Sequence, residues 1–383
     1  MAQAEARVVH IDPRRGRRKA KGEARAFSAP LSYGTVLTGA RRLKGAVVAA
    51  ADGIERLDFV NASGAVLLGW ADPEIEAAVA RAYGEVRDLE GQVAEQLSAY
   101  IPCADAVAFR STVSEALGDA LLAAKAATGR DGAFFCDQDT VLAGDLLTLQ
   151  ATLGAHAGQV AAIVVQPMDG PCAFLTGLRR LADLHGAVLV FDETRTAFRV
   201  HAGGAQAMSG VRPDLAVLGP SLANGRPLAA VCGRVEAMRM LPPAGPRLSP
   251  AALAAASVAL RKIDSEDVVA HLRVRGAEIS AEVEARLRAT GADAWLGVHG
   301  DPTWSVVAAM PRPGFDSGAV ERTLNEMLFD QGVLSFGAHT PSLATGEREI
   351  GALLAAYDAA LPQLVRRVTA GAFNLRRNRS ADA

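Results

Sequence analysis

A chain of 383 residues, half of them apolar, can bury a large core and suggests one big domain with a smaller companion. Its formal net charge of −2 gives no general electrostatic pull toward nucleic acid or a membrane surface. No apolar run approaches the ~20 residues of a membrane span, and no early stretch has the build of a signal peptide, so a soluble, cytoplasmic protein is expected. Cys103, Cys136, Cys172 and Cys232 are widely spaced without a C-x-x-C pair. They read as reduced thiols, with no disulfide framework and no metal signature.

The basic run from Arg14 to Arg25 is expected to be a solvated, loose tail spanning 1–25. Residues 26–70 form a flanking segment in which "KGAVVAAADGIERLDFV" predicts two short strands about a turn at Asp52-Gly53. A large α/β domain is expected over 71–248. It opens with a helix that has Asp72 as N-cap, Pro73 at the first position and Glu74 in the first turn. A second helix carries Leu89, Val93, Leu97 and Ile101 on one face. "AVAFR" is a short strand, followed by a polar turn and the helix "SEALGDALLAAKAATG".

"VAAIVVQPM" is apolar throughout, as a strand covered on both faces should be. The helix "LTGLRRLADLHG", capped by Gly186, leads to two more buried strands, "AVLVFDE" and "DLAVLG". Strands alternating with helices predict an open, mostly parallel α/β sheet. Over 249–383 long helices surround "TWSVVAAM", which predicts a smaller α+β C-terminal domain. His299 and His339 are placed in loops of that part.

"FDETRTAFRVHAGGAQAMSGVRPDLAVLG" closely resembles the class III aminotransferases, and within them the glutamate-1-semialdehyde aminomutases. The family's F-D-E, T-G-F-R, G-G-A-Q, G-V-x-P-D and L-G-K appear here in the same order. They run from Phe191-Asp192-Glu193 through Thr196-Ala197-Phe198-Arg199 and Gly203-Gly204-Ala205-Gln206 to Gly210–Asp214 and Leu218-Gly219-Pro220. "DGIERLDF", "LGWADPEI" and "FRSTVSEALGDALLAAKAATGR" match further family stretches, so the resemblance covers about Arg25 to Val365. It implies the PLP-dependent transferase fold type I: a large, mostly parallel-sheet domain with a smaller α+β C-terminal domain. It also implies a dimer with active sites at the subunit interface, as a homodimer or a heterodimer with a homologue.

Pyridoxal 5′-phosphate chemistry needs an amine to hold the cofactor as an imine, a carboxylate facing the ring nitrogen, and a small-residue turn at a helix N-terminus for the phosphate. The resemblance places Asp192 at the carboxylate position. On residue type alone, Asp192 also suits an aspartate capping a neighbouring turn. Thr112, Val113 and Ser114 take the place of the family's phosphate turn S-G-T, where valine for glycine would penalise any positive φ. Gln166, before Pro167, replaces the glutamate of E-P. Thr194 replaces the valine that packs on the ring. Arg247 replaces the threonine that reaches the phosphate across the dimer, while Trp70 and Asp72 replace the histidines of H-x-H-P. Arg25 and Arg195 are the candidate substrate-facing arginines, with ordinary surface arginines as the competing reading.

At the lysine position stands Pro220, which has neither a side-chain nitrogen nor an N–H. The only lysines are Lys19, Lys21, Lys44, Lys125 and Lys262, and none falls near that strand end. Covalent cofactor binding is therefore not expected, and the catalytic residues stay unassigned. Three readings follow. The first is a re-used biosynthetic enzyme acting on a small anionic substrate, or with non-covalently held pyridoxamine. The second is a non-catalytic subunit partnering a lysine-bearing homologue, and the third an aminotransferase or aminomutase with an atypical mechanism.

Overall fold

The computed structural model describes residues 8–10, 33–83, 88–136, 145–167, 172–242 and 248–374. The chain divides into two units, one of residues 1–27 with 73–269 and one of residues 28–72 with 270–383.

The larger unit is built on seven strands: β1 (Val8–His10), β2 (Ala106–Arg110), β3 (Gly132–Cys136), β4 (Val160–Val165), β5 (Val188–Asp192), β6 (Leu215–Leu218) and β7 (Ala229–Gly233). Their spatial order is β1-β3-β4-β5-β6-β7-β2. β3 to β6 run parallel. β7 is antiparallel to both β6 and β2, so β2 points the same way as the central four. β1, inside the stretch read from sequence as a tail, pairs antiparallel with β3.

All six residues of β4 are buried, in keeping with its unbroken apolar run. The helix Val113–Thr128 lays Ala116, Ala120 and Ala123 against Val164, Val190 and Val217 of the sheet. Small side chains on the helix allow the branched strand residues to fill the space between. Thr112 starts this helix through a capping box, its hydroxyl accepting from the Glu115 N–H at 3.2 Å while the Glu115 carboxylate takes the Ser111 and Thr112 N–H groups.

The helix Pro250–Ser265 packs on the helices Pro73–Arg81 and Leu89–Tyr100 and on the short 3-10 turn Pro220–Ala223. It therefore belongs to the larger unit, although the sequence reading set a boundary at 248/249. Its alanine-rich face is the reason: Ala252, Ala255, Ala256 and Ala259 are all buried.

The smaller unit joins the flanking segment to the C-terminal part. Val333–Leu334 pairs in parallel with Glu55–Asp58, which pairs antiparallel with Val47–Ala49 about the anticipated Asp52-Gly53 turn. A three-stranded sheet of Leu296–Asp301, Trp304–Ala309 and Ala338–His339 stands beside the helices Ser317–Asp330 and Glu347–Thr369 in this unit. His299 and His339 thus lie in strands and not in loops. His339 is fully buried between the Tyr357 hydroxyl, 3.1 Å from its Nε2, and the Ser305 hydroxyl, 3.5 Å from its Nδ1.

Asn61, Ala62, Ser63 and Gly64 run consecutively left-handed, with φ of 48°, 53°, 54° and 75°. Such a run costs free energy for L-residues and needs external support. Asp58 supplies it: one oxygen accepts the Val60 and Asn61 N–H groups at 2.9 and 3.0 Å, the other the Tyr33 hydroxyl and Trp70 indole at 2.6 and 2.8 Å. The Ala62 N–H then donates to the Tyr33 oxygen at 2.8 Å. Among the described residues, no helix is long and apolar enough to cross a membrane, and no cluster of three or more His, Cys, Asp and Glu could hold a metal.

Candidate active site at the carboxyl edge of the sheet

Parallel strands bring their carboxyl ends to one edge, where open α/β sheets take ligands. The register sets Cys136 beside Val165, Val165 beside Phe191 and Asp192 beside Val217. Arg110 and Ala229 meet at the same edge. Side chains alternate along a strand, so Asp192 projects to the face of Val190, the face covered by the helix Val113–Thr128. That helix begins just after β2, at this same edge. Its N-terminus and the Asp192 carboxylate thus share one edge and one face.

Asp192 is 8 % exposed. Its Oδ2 accepts the Gln166 side-chain amide at 2.9 Å and its Oδ1 accepts the Thr194 N–H at 3.1 Å. Glu193, one residue on, is entirely buried. It accepts the Thr196 hydroxyl, the Ala205 N–H at 2.8 Å, the Gln206 N–H at 3.0 Å and the Gln206 amide at 3.4 Å. Burial pushes the Glu193 carboxyl above the usual carboxylate range, against the pull of these four donors. Glu193 is a strut for the loop that follows β5, a role that the sequence reading missed. Its signal was the F-D-E triplet itself, because a period of two must send adjacent carboxylates to opposite faces.

Thr112 and Ser114 are exposed and Val113 is half-buried. Val113 is the first helical residue and is not among the positive-φ positions, so the strain anticipated for valine there does not arise. The N–H groups of Val113 and Ser114 take no part in the capping box and face the N-terminal end of a 16-residue helix. Thr194 and Arg195 are half-buried in the loop after Asp192. A Cβ on Gly219 would stand 3.0 Å from the Cβ of Thr194, so the loops after β5 and β6 are in contact, directly before Pro220.

Pro220 opens the 3-10 turn Pro220–Ala223 at its first position, where a missing N–H costs nothing. Its carbonyl accepts the Gly225 N–H at 2.8 Å, and Asn224 ends the turn with φ 50°. Lys125 sits in the last turn of its helix, paired with Asp131. Lys262 lies on the helix Pro250–Ser265, 2.9 Å from Glu266 and 3.3 Å from Glu74. Lys44 belongs to the smaller unit. Lys19, Lys21, Arg25 and Arg247 lie outside the described residues.

For a pyridoxal-type phosphate the donor set fits in part. A buried carboxylate that meets two donors among the described residues suits a protonated ring nitrogen, and a helix N-terminus on the same face suits the phosphate. Among the described residues of the larger unit, no lysine stands on a strand end or on the loop that follows one.

The model of the aminotransferase class-III family matches residues 137–300. A glutamate-1-semialdehyde 2,1-aminomutase of Roseiflexus castenholzii is 33 % identical over 319 residues, which is 67 % of this chain and 74 % of that protein. A protein of the same name from Symbiobacterium thermophilum is 34 % identical over 252 residues, 53 % of this chain and 58 % of its own length. Among solved structures, an omega-transaminase from Sphaerobacter thermophilus superposes with a TM-score of 0.75 at 28 % identity, covering 85 % of this chain and 91 % of that one. The architecture is that of the PLP-dependent transaminases of fold type I, and the chain belongs to the class-III aminotransferase family.

Proposed function

We propose that this protein uses the class-III aminotransferase scaffold without lysine-linked chemistry, as a biosynthetic enzyme that acts on a small anionic substrate and binds a pyridoxamine-type cofactor non-covalently. The observation that carries this reading is the turn at Pro220, which follows β6 beside Thr194 and brings no amine to the sheet edge. Asp192 is the acceptor for a ring N–H, and the N-terminus of the helix Val113–Thr128 is the seat for a phosphate. Bound there, the cofactor would supply a ring able to take up electrons from a substrate carbon. Thr194 would pack against the ring, and Arg195 in the same loop would attract the substrate's anionic group, with Arg25 and Arg247 as further candidates.

Borohydride treatment of the protein mixed with pyridoxal 5′-phosphate, followed by peptide mass analysis, tests the reading. No pyridoxyl-lysine should form, while equilibrium dialysis should show reversible binding of pyridoxamine 5′-phosphate. A pyridoxylated lysine would overturn the proposal and restore ordinary nitrogen transfer. Absence of both binding and adduct would favour a non-catalytic subunit, to be sought by co-purification with a lysine-bearing homologue.

A further inference from the structure

Three helices of the larger unit, Pro73–Arg81, Leu89–Tyr100 and Pro250–Ser265, border a cavity of about 230 Å³. Helical spacing brings Ala78 and Arg81 of the first, Gln92 of the second and Ala254, Ser257 and Arg261 of the third to its walls. The two alanines leave open the space that larger apolar residues would fill. Two of the helices are tied together beside it: the Gln96 amide donates to the Ser257 carbonyl at 3.2 Å, and the Tyr100 hydroxyl to the Leu260 carbonyl at 3.3 Å. A volume below the ~300–1,000 Å³ of drug-sized pockets suits a ligand of few heavy atoms.

The lining is one-sided in charge: two arginines and no carboxylate contribute to it. Arg81, Gln92 and Ser257 make no side-chain hydrogen bond or ion pair among the described residues. Arg261 reaches Glu74 at 3.4 Å with both side chains more than half exposed, and a pair of that kind holds its members loosely. Glu74 also faces the Lys262 ammonium at 3.3 Å, on a side chain only 9 % exposed, so it does not serve Arg261 alone. Like charges on one cavity repel. An anion between them relieves that cost and meets planar N–H forks suited to carboxylate and phosphate oxygens. Gln92 and Ser257 add neutral donors to the same walls.

We propose that this three-helix cavity is a binding site for a small dianion, a phosphate or a dicarboxylate, clamped between Arg81 and Arg261. One negative charge for each guanidinium leaves the pair neutral. Asp192, Thr194 and Pro220 are not among the walls, so the site stands whether or not the sheet edge holds a cofactor.

Modification of the full chain by phenylglyoxal, read residue by residue through peptide mass analysis at constant ionic strength, tests the site. With about 20 mM phosphate in place of chloride, Arg81 and Arg261 should react about threefold or more slowly, as a dissociation constant of about 10 mM or tighter gives. Arg288 of the smaller unit, whose side chain is 61 % exposed, should keep its rate. Succinate in a parallel series separates the two sources: protection by either anion supports the site, and the stronger protector names the class. In Arg81→Gln, with folding confirmed by thermal unfolding, Arg261 should return to within about 1.5-fold of its chloride rate. Unchanged rates at both arginines in both anions would overturn the proposal, as would protection of one arginine alone. So would equal slowing at Arg288, which marks an adventitious ion only, or protection of Arg261 that survives in Arg81→Gln.

Discussion

A Cβ placed on Gly204 would stand 2.5 Å from Oε2 of Glu193: the backbone after β5 is drawn directly onto a buried carboxylate. Gly204 also has φ +71°, which other residues adopt at a cost. Gly204→Ala is expected to lower the unfolding free energy by about 2–4 kcal/mol, from strain and a displaced carboxylate together. Glu193→Gln should cost about as much, since an amide then faces backbone N–H groups that need an acceptor. Urea denaturation of the two variants checks both values.

The turn at Pro220 permits a reversal experiment. Pro220→Lys puts an amine directly after the glycine that abuts Thr194. The variant is expected to give a borohydride-fixed pyridoxyl adduct at position 220, where wild type gives none. Mass analysis of the peptide carrying that position decides the matter, and an unmodified peptide would show that the loop does not face the cofactor space.

His339 carries a pH dependence. Burial lowers its imidazole from 6.5 to about 4, so the folded state keeps it neutral where the unfolded chain already takes up a proton. Between those two values the unfolded state binds more protons, and stability must fall as pH falls. The full effect is about 3 kcal/mol, present above the unfolded value and gone below the folded one. Urea midpoints at pH 7 and pH 4.5 should therefore fall further apart for wild type than for His339→Gln. Equal spacing would show that His339 does not titrate with unfolding.

Asp58 is expected to be the most costly polar side chain to remove from the smaller unit. Burial raises its carboxyl above the ordinary range even though four donors converge on it. Asp58→Ala would leave the Val60 and Asn61 N–H groups, the Tyr33 hydroxyl and the Trp70 indole without their acceptor, and would release the left-handed run that they hold. A loss of about 3 kcal/mol or more is expected. Thermal unfolding together with the change in Trp70 fluorescence would report it.

The buried parallel strands were legible because an apolar run such as Val160–Val165 has few other homes. The alternation that sends Asp192 and Glu193 to opposite faces was legible too, yet only the former was picked out, because only the former falls at a family cofactor position. Several elements escaped, β1 among them. β7 is an Ala-rich pentapeptide whose small residues carry little strand signal. β3 has Phe135 partly in solvent, which blurs its pattern. His339 lies in a two-residue strand, too short for any periodicity to show. The composition of the smaller unit was hidden for another reason. Pairing between Val333 and Leu57 is a tertiary event with no local trace, and a boundary drawn at a change in pattern cannot detect it.

That pairing bears on synthesis. The Asn61 amide donates to the Thr340 carbonyl across 279 positions of chain, so this body has no means of completing itself until most of the polypeptide has left the ribosome. The strands near residue 50 must wait, half-made, while the intervening sheet is translated and folds. Long-range closure of this kind is slow. A nascent chain stalled just before position 333 should thus display the flanking strands to chaperones and proteases, whereas one stalled past 374 should protect them.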